Sequence, residues 1–503
     1  MRTGRDVKAG GMGAGKAAKA ICMAVLCGIL VLEILLIPVN MFLMNFPGWV
    51  MGVLGILLCC GLAAYFLRFR TGRAAKTVLP VIFGGVSLVC VLAPSLLPYW
   101  NSYTFKEYHG KILNYDEILS GRQAADDLKT LRYYLQKLHP RFQNGLTDEV
   151  KTAYEQALER LEKTEQITVN EFRREIQTVL HPLGDAHTTT YNNYPGDKYL
   201  KTAPPKSCAG YGIRSVNGKA VKQIIEEAKP YYCYEAEEGI SIDLGSLASL
   251  EFYGFSAPFT YEWSREGEII TESCTETDFV SWEEYLEIYE QYSGAETPGE
   301  FVSCEIDEER SLAILTLTQC KYNQAYIDCV REMFTRVKQQ GIGNVAVDLR
   351  GNGGGSSMVG NEFVKYLPVD SYGDGSYDWR WGPFLVHWDG SSITNRRYED
   401  LTFEGNVYVL TDRNSFSAAK DFAMLIQDND LGEILGEAPA NSVSGYGEVA
   451  AFYLPNTGLF VQISTKKWYR ADENNPADYV FPDYPCEGGE AVEKLYELLK
   501  SDE

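Results

Sequence analysis

The chain has 503 residues, with 46 Lys or Arg against 68 Asp or Glu, a formal net charge of -22, 45% apolar residues and 13% aromatic ones. This composition excludes a disordered polyampholyte, a disulfide miniprotein and a collagen-like repeat. So acidic a chain also lacks the basic footprint with which nucleic-acid binders neutralise phosphates. At roughly 150 residues per domain the length allows about three units, and the charge is divided unevenly along it. Residues 1–100 carry nine Lys/Arg and only Asp6 and Glu33, a net of +7; the remainder carries 37 basic and 66 acidic groups, a net of -29.

The basic part holds three apolar runs, Ala20–Met44, Pro47–Leu67 and Thr77–Leu97. Each has about 20 residues, enough at 1.5 Å per residue to cross a hydrocarbon layer of roughly 30 Å. A cleaved signal peptide would supply one shorter run, not three. Basic residues precede the first run and fill the connection from Arg68 to Lys76, while Asn45–Gly48 has none. The positive-inside rule then predicts a cytoplasmic N-terminus and, after three crossings, an extracytoplasmic remainder. Glu33 lies within the first run and reads as a protonated or helix-paired carboxyl in an anchor bundle. Five of the twelve cysteines fall in the spans and the odd seven outside define no disulfide framework. With no CxxC and no HExxH among them, the spacings predict no metal site.

Beyond residue 100, Leu128, Leu131, Leu135 and Leu138 recur at helical spacing up to His139-Pro140. Asp148–Leu161 and Val169–Leu180 read as further helices, the second with Asn170 as its cap, and the cluster from His181 to Thr188 follows. Gly210–Lys219 reads as a hairpin turning at Asn217-Gly218, with a helix from Val221 to Lys229. The glycine- and serine-rich stretch that follows and the acidic Glu283–Glu300 mark a small module or a long insertion. From residue 301 strands alternate with helices. Leu312–Leu317, Asn344–Leu349, Asn406–Leu410, Gly432–Gly436 and Leu459–Trp468 are the expected strands; Ala325–Gln340, a stretch through Tyr366 and Ser417–Gln427 are the expected helices. Such alternation predicts an α/β core covered on both faces.

Three short motifs carry chemistry. In Asp348-Leu349-Arg350-Gly351-Asn352-Gly353-Gly354-Gly355-Ser356 a buried strand enters a glycine turn that opens toward a helix. Such a loop can hold an anion, but neither GxxxxGK[ST] nor GxGxxG is present, and a plain tight turn is the alternative. In Ser415-Phe416-Ser417-Ala418-Ala419-Lys420 a serine opens a helix among small neighbours, where its hydroxyl is exposed and the helix dipole faces developing negative charge. The alternative there is an ordinary helix N-cap by Ser415 or Ser417. In Gly184-Asp185-Ala186-His187-Thr188 an imidazole follows a carboxylate by two residues, a plausible setting for a base near neutral pH.

In this order, with a hairpin-bearing middle region between them, the motifs resemble the C-terminal processing (tail-specific) serine peptidases, over about residues 120–485. The resemblance implies a crotonase-like β/α core. It makes Ser417 the nucleophile and places Gly354 and Ala418 at the oxyanion hole. The Ser–Lys branch of that family carries a Lys in a Phe-Gly-Lys-Gly segment about 25 residues after the serine; here Gly436–Gly447 has no Lys. The tricorn-like branch uses a His from the segment that holds His187, so the resemblance assigns the base to His187. Where tricorn has a Ser before that His this chain has Ala186, which leaves Asp185, Asp472 and Glu473 as candidate orienting acids. Ser417-Ala418-Ala419-Lys420 is also an SxxK string, but the companion Lys-Thr-Gly is missing, and the family usually carries Glu at the Lys420 position, on the helix surface.

The expected architecture is therefore an α/β protein with three transmembrane helices in 1–100, a helical subdomain with the His motif in 101–190, a degenerate PDZ-like or insertion module in 191–300 and the peptidase core in 301–503. The expected activity is peptide-bond hydrolysis without a cofactor, on a peptide or protein substrate and with no nucleic acid. The rival reading is a non-catalytic peptide- or ligand-binding protein on the same fold.

Overall fold

The structure is a computed structural model and describes residues 7–42, 49–96, 110–293, 301–381, 384–472 and 474–501. It divides into two compact units, Met1–His109 (with Ala450–Phe452 grouped with it) and the rest of the chain.

The first unit contains helices α1 (Val7–Phe42), α2 (Trp49–Arg68) and α3 (Arg73–Leu96). All three are long and apolar enough to cross a membrane, over Gly15–Ile37, Val50–Arg68 and Arg73–Val91. Their apolar side chains face outward except along a seam of Leu26, Leu58, Leu62, Tyr65 and Phe83. Within this bundle Glu33 is fully buried and accepts a hydrogen bond from Ser87 Oγ at 3.0 Å. Gly55 leaves room for the pair, since a Cβ there would lie 3.1 Å from Ser87 Oγ and 3.5 Å from Glu33 Oε1. Glu33 thus has one carboxylate oxygen engaged across helices, by Ser87.

The second unit begins with α4 (Gly121–Leu138), α5 (Asp148–Lys163) and α6 (Val169–Leu180). The leucine stripe of α4 is buried as its spacing requires, and His139 ends the helix by donating its N–H to Leu135 O. The cap of α6 is Thr168, not Asn170: its Oγ1 accepts from Glu171 N while the Glu171 carboxylate takes the Thr168 N–H. Asn170 lies inside the helix and its amide donates to Ala248 O at 2.7 Å. Threonine followed three residues later by glutamate closes a capping box, which outcompetes asparagine two positions on.

Residues 199–280 form a small body with its own core around Tyr261, Trp263 and Phe259. Its sheet runs Lys219–Ala220, Gly212–Val216, Phe259–Arg265, Glu268–Cys274 in spatial order. The Asn217-Gly218 turn has both residues at positive φ, 50° and 75°, the conformation a two-residue hairpin demands.

The main sheet is parallel apart from one edge strand. In spatial order it runs Val302–Asp307, Leu312–Leu317, Asn344–Asp348, Asn406–Thr411, Glu433–Gly436, Tyr484–Pro485. Alternation puts Val345, Val347, Val407 and Val409 on one face, under the helices Gln324–Gln340 and Ala418–Asp428. Ala346, Tyr408 and Leu410 point to the other, under the helix Ala491–Ser501. Both faces are covered, so these strands read as continuous apolar runs.

A second sheet was not foreseen in full. It joins Phe384–Trp388, Tyr377–Trp381, Phe460–Trp468 and Tyr446–Tyr453, and only the Phe460–Trp468 strand was expected. Thr189–Thr190 adds to it through Val461↔Thr190 and Gln462↔Thr189. That short pairing carries residue 187 to the core, far along the chain from the residues it meets there. No disulfide joins cysteines among the described residues.

Candidate active site

The strand Asn406–Thr411 ends at a turn in which Ser415 is fully buried. Ser415 Oγ donates to Leu349 O at 2.8 Å and accepts from Asp412 N at 3.0 Å, so it is a structural brace. Gly351 N reaches Asp412 Oδ1 at 2.9 Å and Phe416 N reaches Asn352 O at 2.9 Å, which stitches the glycine loop to this turn. Ser417 follows with φ 54° and ψ -122° and occupies the N-cap position of the helix Ala418–Asp428 without a capping bond from its side chain. A non-glycine residue at this φ costs of order 1–3 kcal/mol, which the surroundings must offset. Part of that hold is Asn441, whose Oδ1 accepts the Ser417 N–H at 2.8 Å. A serine that caps its helix would spend its oxygen on the next turn; this one keeps it available.

Gly354, at φ 95°, packs directly under the serine. A Cβ on it would come 2.7 Å from Phe416 O, 2.7 Å from Ser417 Cβ and 3.0 Å from Ala418 N. The Ala418 N–H opens the helix and so has no acceptor within it. The Gly354 N–H differs: it donates to Asn352 Oδ1 at 2.8 Å, and Asn352 is itself buried with its amide on Leu317 O.

On the opposite side, α6 ends in a short turn, His181–Leu183, and Gly184 takes the left-handed conformation at φ 59°. Asp185 behind it is fully buried. Its Oδ1 accepts His187 N at 2.9 Å; its Oδ2 accepts Thr188 Oγ1 at 2.5 Å and pairs with His139 Nε2 at 3.1 Å. His139 Nδ1 accepts Arg141 N, which places the His139 proton on Nε2, facing the carboxylate. Burial raises the Asp185 pKa, but its pairing with His139, with the nearby His187 and Thr188, outweighs it and holds the value at about 2.

The His187 ring lies on Phe416, the residue before the serine, with ring centroids 4.5 Å apart. Both its ring nitrogens are buried without a hydrogen-bond partner among the described residues, so no Ser417–His187 bond exists in this geometry. Nδ1 is 4.0 Å from Asp185 Oδ1. Burial holds the imidazole below its ordinary pKa against the raising effect of Asp185; Lys420 lowers it further and Asp421 opposes that. A buried neutral imidazole with its one basic lone pair free is suited to take a proton.

Two neighbours, Glu235 and Asn441, carry no role in the sequence reading, and a third, Lys420, differs from its expected place. Glu235 follows the helix Val221–Ala228, and its Oε2 accepts Asn441 Nδ2 at 2.6 Å and Ser442 N at 2.5 Å. Burial, then repulsion from Asp185, raises its pKa to about 7. One ligand-type atom each from Asp185, His187 and Glu235 lies within 4.8 Å of the others. Asn441, within the Lys-free segment Gly436–Gly447, links this carboxylate to the Ser417 backbone. Lys420, expected on the helix surface, is instead only 4% exposed, with Nζ on Asp421 Oδ1 at 2.6 Å. Small residues at 418 and 419 and the sheet behind them turn this face inward, and a salt partner one residue on makes the burial tolerable. No local pattern in the sequence marks Glu235.

Of the candidate orienting acids, Asp185 meets His187. Asp472 is spent on its own turn, where its Oδ1 accepts Asn474 N at 3.0 Å, next to the Arg470–Asp428 pair. Glu473 lies outside the described residues.

Residues 311–486 match the sequence model of Peptidase family S41. No curated protein matches the chain. Among solved structures, a mutant of CPAF is similar at a TM-score of 0.55 and 13% identity, covering 76% of this chain and 96% of that one. Mature CPAF complexed with lactacystin gives 0.51 and 13%, over 76% and 97%. The photosystem II D1 C-terminal processing protease gives 0.42 and 15%, over 75% and 96%. The two CPAF structures share the fold of this chain.

Proposed function

We propose, from the premise that residues 311–486 form a peptidase family S41 domain, that this protein is a membrane-anchored serine peptidase acting through Ser417 and His187. The observation that carries the reading is Ser417 itself, held at φ 54° on the start of a helix with its hydroxyl uncommitted and the His187 ring on its neighbour Phe416. Ser417 Oγ attacks the peptide carbonyl carbon as His187 takes the hydroxyl proton; the protonated imidazole then passes that proton to the leaving amine, and water repeats the cycle on the acyl-enzyme. The Ala418 N–H is the first oxyanion donor, and the Gly354 N–H becomes the second when substrate oxygen replaces Asn352 Oδ1. Asp185 fixes the His187 backbone and balances the imidazolium charge. No cofactor enters these steps.

The order of the chain supports a crotonase-like core in 301–503, the helical region 101–190 and a PDZ-like role for the body in 191–300. The basic flanks of the spans support a cytoplasmic N-terminus with the peptidase outside; cysteine labelling of either side in intact cells tests that. Substrates are peptide segments, without nucleic acid. Two observations favour the binding-protein reading, namely the absent Ser417–His187 bond and the occupied Gly354 N–H. A fluorophosphonate separates the two readings. Covalent labelling of the wild type that vanishes in Ser417→Ala supports the peptidase, and an unlabelled, folded wild type overturns it.

A further inference from the structure

We propose that Asp185, His187 and Glu235 form a site for one divalent transition-metal ion, zinc by preference, whose binding switches the peptidase off. The switching half rests on His187 being the base; the binding half does not. The three side chains come from stretches about 50 residues apart, yet their donor atoms lie within 4.8 Å of one another. Each has a lone pair to give. Glu235 Oε1 and both His187 nitrogens are buried without a partner among the described residues. Asp185 Oδ1 accepts only the His187 N–H among its recorded bonds, which leaves its second lone pair.

Two carboxylates and an imidazole converging with buried donor atoms repel or go unpaired unless a cation joins them. Zinc takes nitrogen and oxygen ligands at roughly 2.0–2.2 Å, so tetrahedral donors stand about 3.3 Å apart. Closing at most about 1.5 Å is within the swing of the Glu235 and His187 side chains. Three ligands are too few for calcium, which wants six or more oxygens. The outer contacts that orient metal ligands are already in place: Thr188 and His139 hold Asp185 Oδ2, and Asn441 and Ser442 hold Glu235 Oε2. The fourth position is left for water. A metal on the imidazole takes the lone pair that would receive the Ser417 proton, and hydrolysis stops.

The test uses the untagged full chain in detergent, with His387→Ala throughout to remove the exposed His387–Asp378–Asp389 contact. Cobalt(II) is titrated by visible absorption and zinc by calorimetry, and peptidase activity is read with zinc and then with a chelator. One tetrahedral cobalt site per chain is expected, with affinity for either metal falling at least tenfold in Glu235→Gln and unchanged in Ser417→Ala. Zinc should abolish turnover and the chelator restore it. Absence of a one-to-one cobalt spectrum, or equal affinity in Glu235→Gln, overturns the site; bound zinc with full turnover overturns the switch. An inactive wild type that still binds cobalt fails the peptidase reading alone.

Discussion

The two halves of the candidate site are built in opposite ways. The nucleophile half is local: one strand, one turn and one helix place Ser417, and a neighbouring glycine loop packs beneath it through backbone contacts at Gly354 and Asn352. The base half is assembled over distance, from His139 at a helix end, Asp185 and His187 in a loop, and Glu235 after the helix Val221–Ala228, joined to Ser417 through Asn441. Backbone geometry holds the first half rigidly. The second depends on buried polar groups satisfying one another, and such networks fail together when one member is lost.

The largest expected effect breaks the nucleophile half without touching the fold. Ser417→Ala should lower kcat by roughly 10⁴-fold or more, with an unchanged melting curve, because a nucleophile is removed and no packing is lost. Gly354→Ala tests the packing under it. A Cβ would strike backbone at 2.7 Å and add strain at φ 95°; the expected result is a loss of about 2–4 kcal/mol in denaturant unfolding together with most of the activity.

The base half should respond through pH. The Asp185 carboxyl is depressed from 3.8 to about 2. Its stabilisation of about 2 kcal/mol is therefore complete above pH 4 and fades as pH falls toward 2. Asp185→Asn should be less stable than the wild type at neutral pH, with the gap narrowing in acid; a gap independent of pH would show that the charge does not matter. Asn441→Ala joins the two halves and should have the smallest effect. It strips the acceptor from Ser417 N and a donor from Glu235, costing about 1–3 kcal/mol, and should lower kcat more than it changes KM. Equal loss in both parameters would argue that Asn441 shapes binding and not the elbow.

The same contrast explains what could be read in advance. Val345–Asp348 and Val407–Leu410 were recognisable as strands because burial on both faces leaves an unbroken apolar run, and Gly351–Gly355 and Ser417 follow them within a few residues. The second sheet is not legible where its strands lie open: Phe384, Val386 and Trp388 are themselves exposed, so their apolar pattern does not mark a buried face. Asn170 reads as a helix cap by residue type alone, but the Thr168–Glu171 capping box sets the cap two residues earlier and leaves Asn170 inside the helix.

The sequence by itself determined three apolar helices with basic flanks, an α/β core and a serine on a strand–turn–helix, because each depends on periodicity or chemistry within about twenty residues. Only the tertiary structure decided that Glu235 stands beside His187, that Lys420 is buried, and that the Gly354 N–H is already engaged by Asn352. Those facts depend on which distant surfaces meet, and the energy that brings them together comes from burying both sheet faces, which no single segment records.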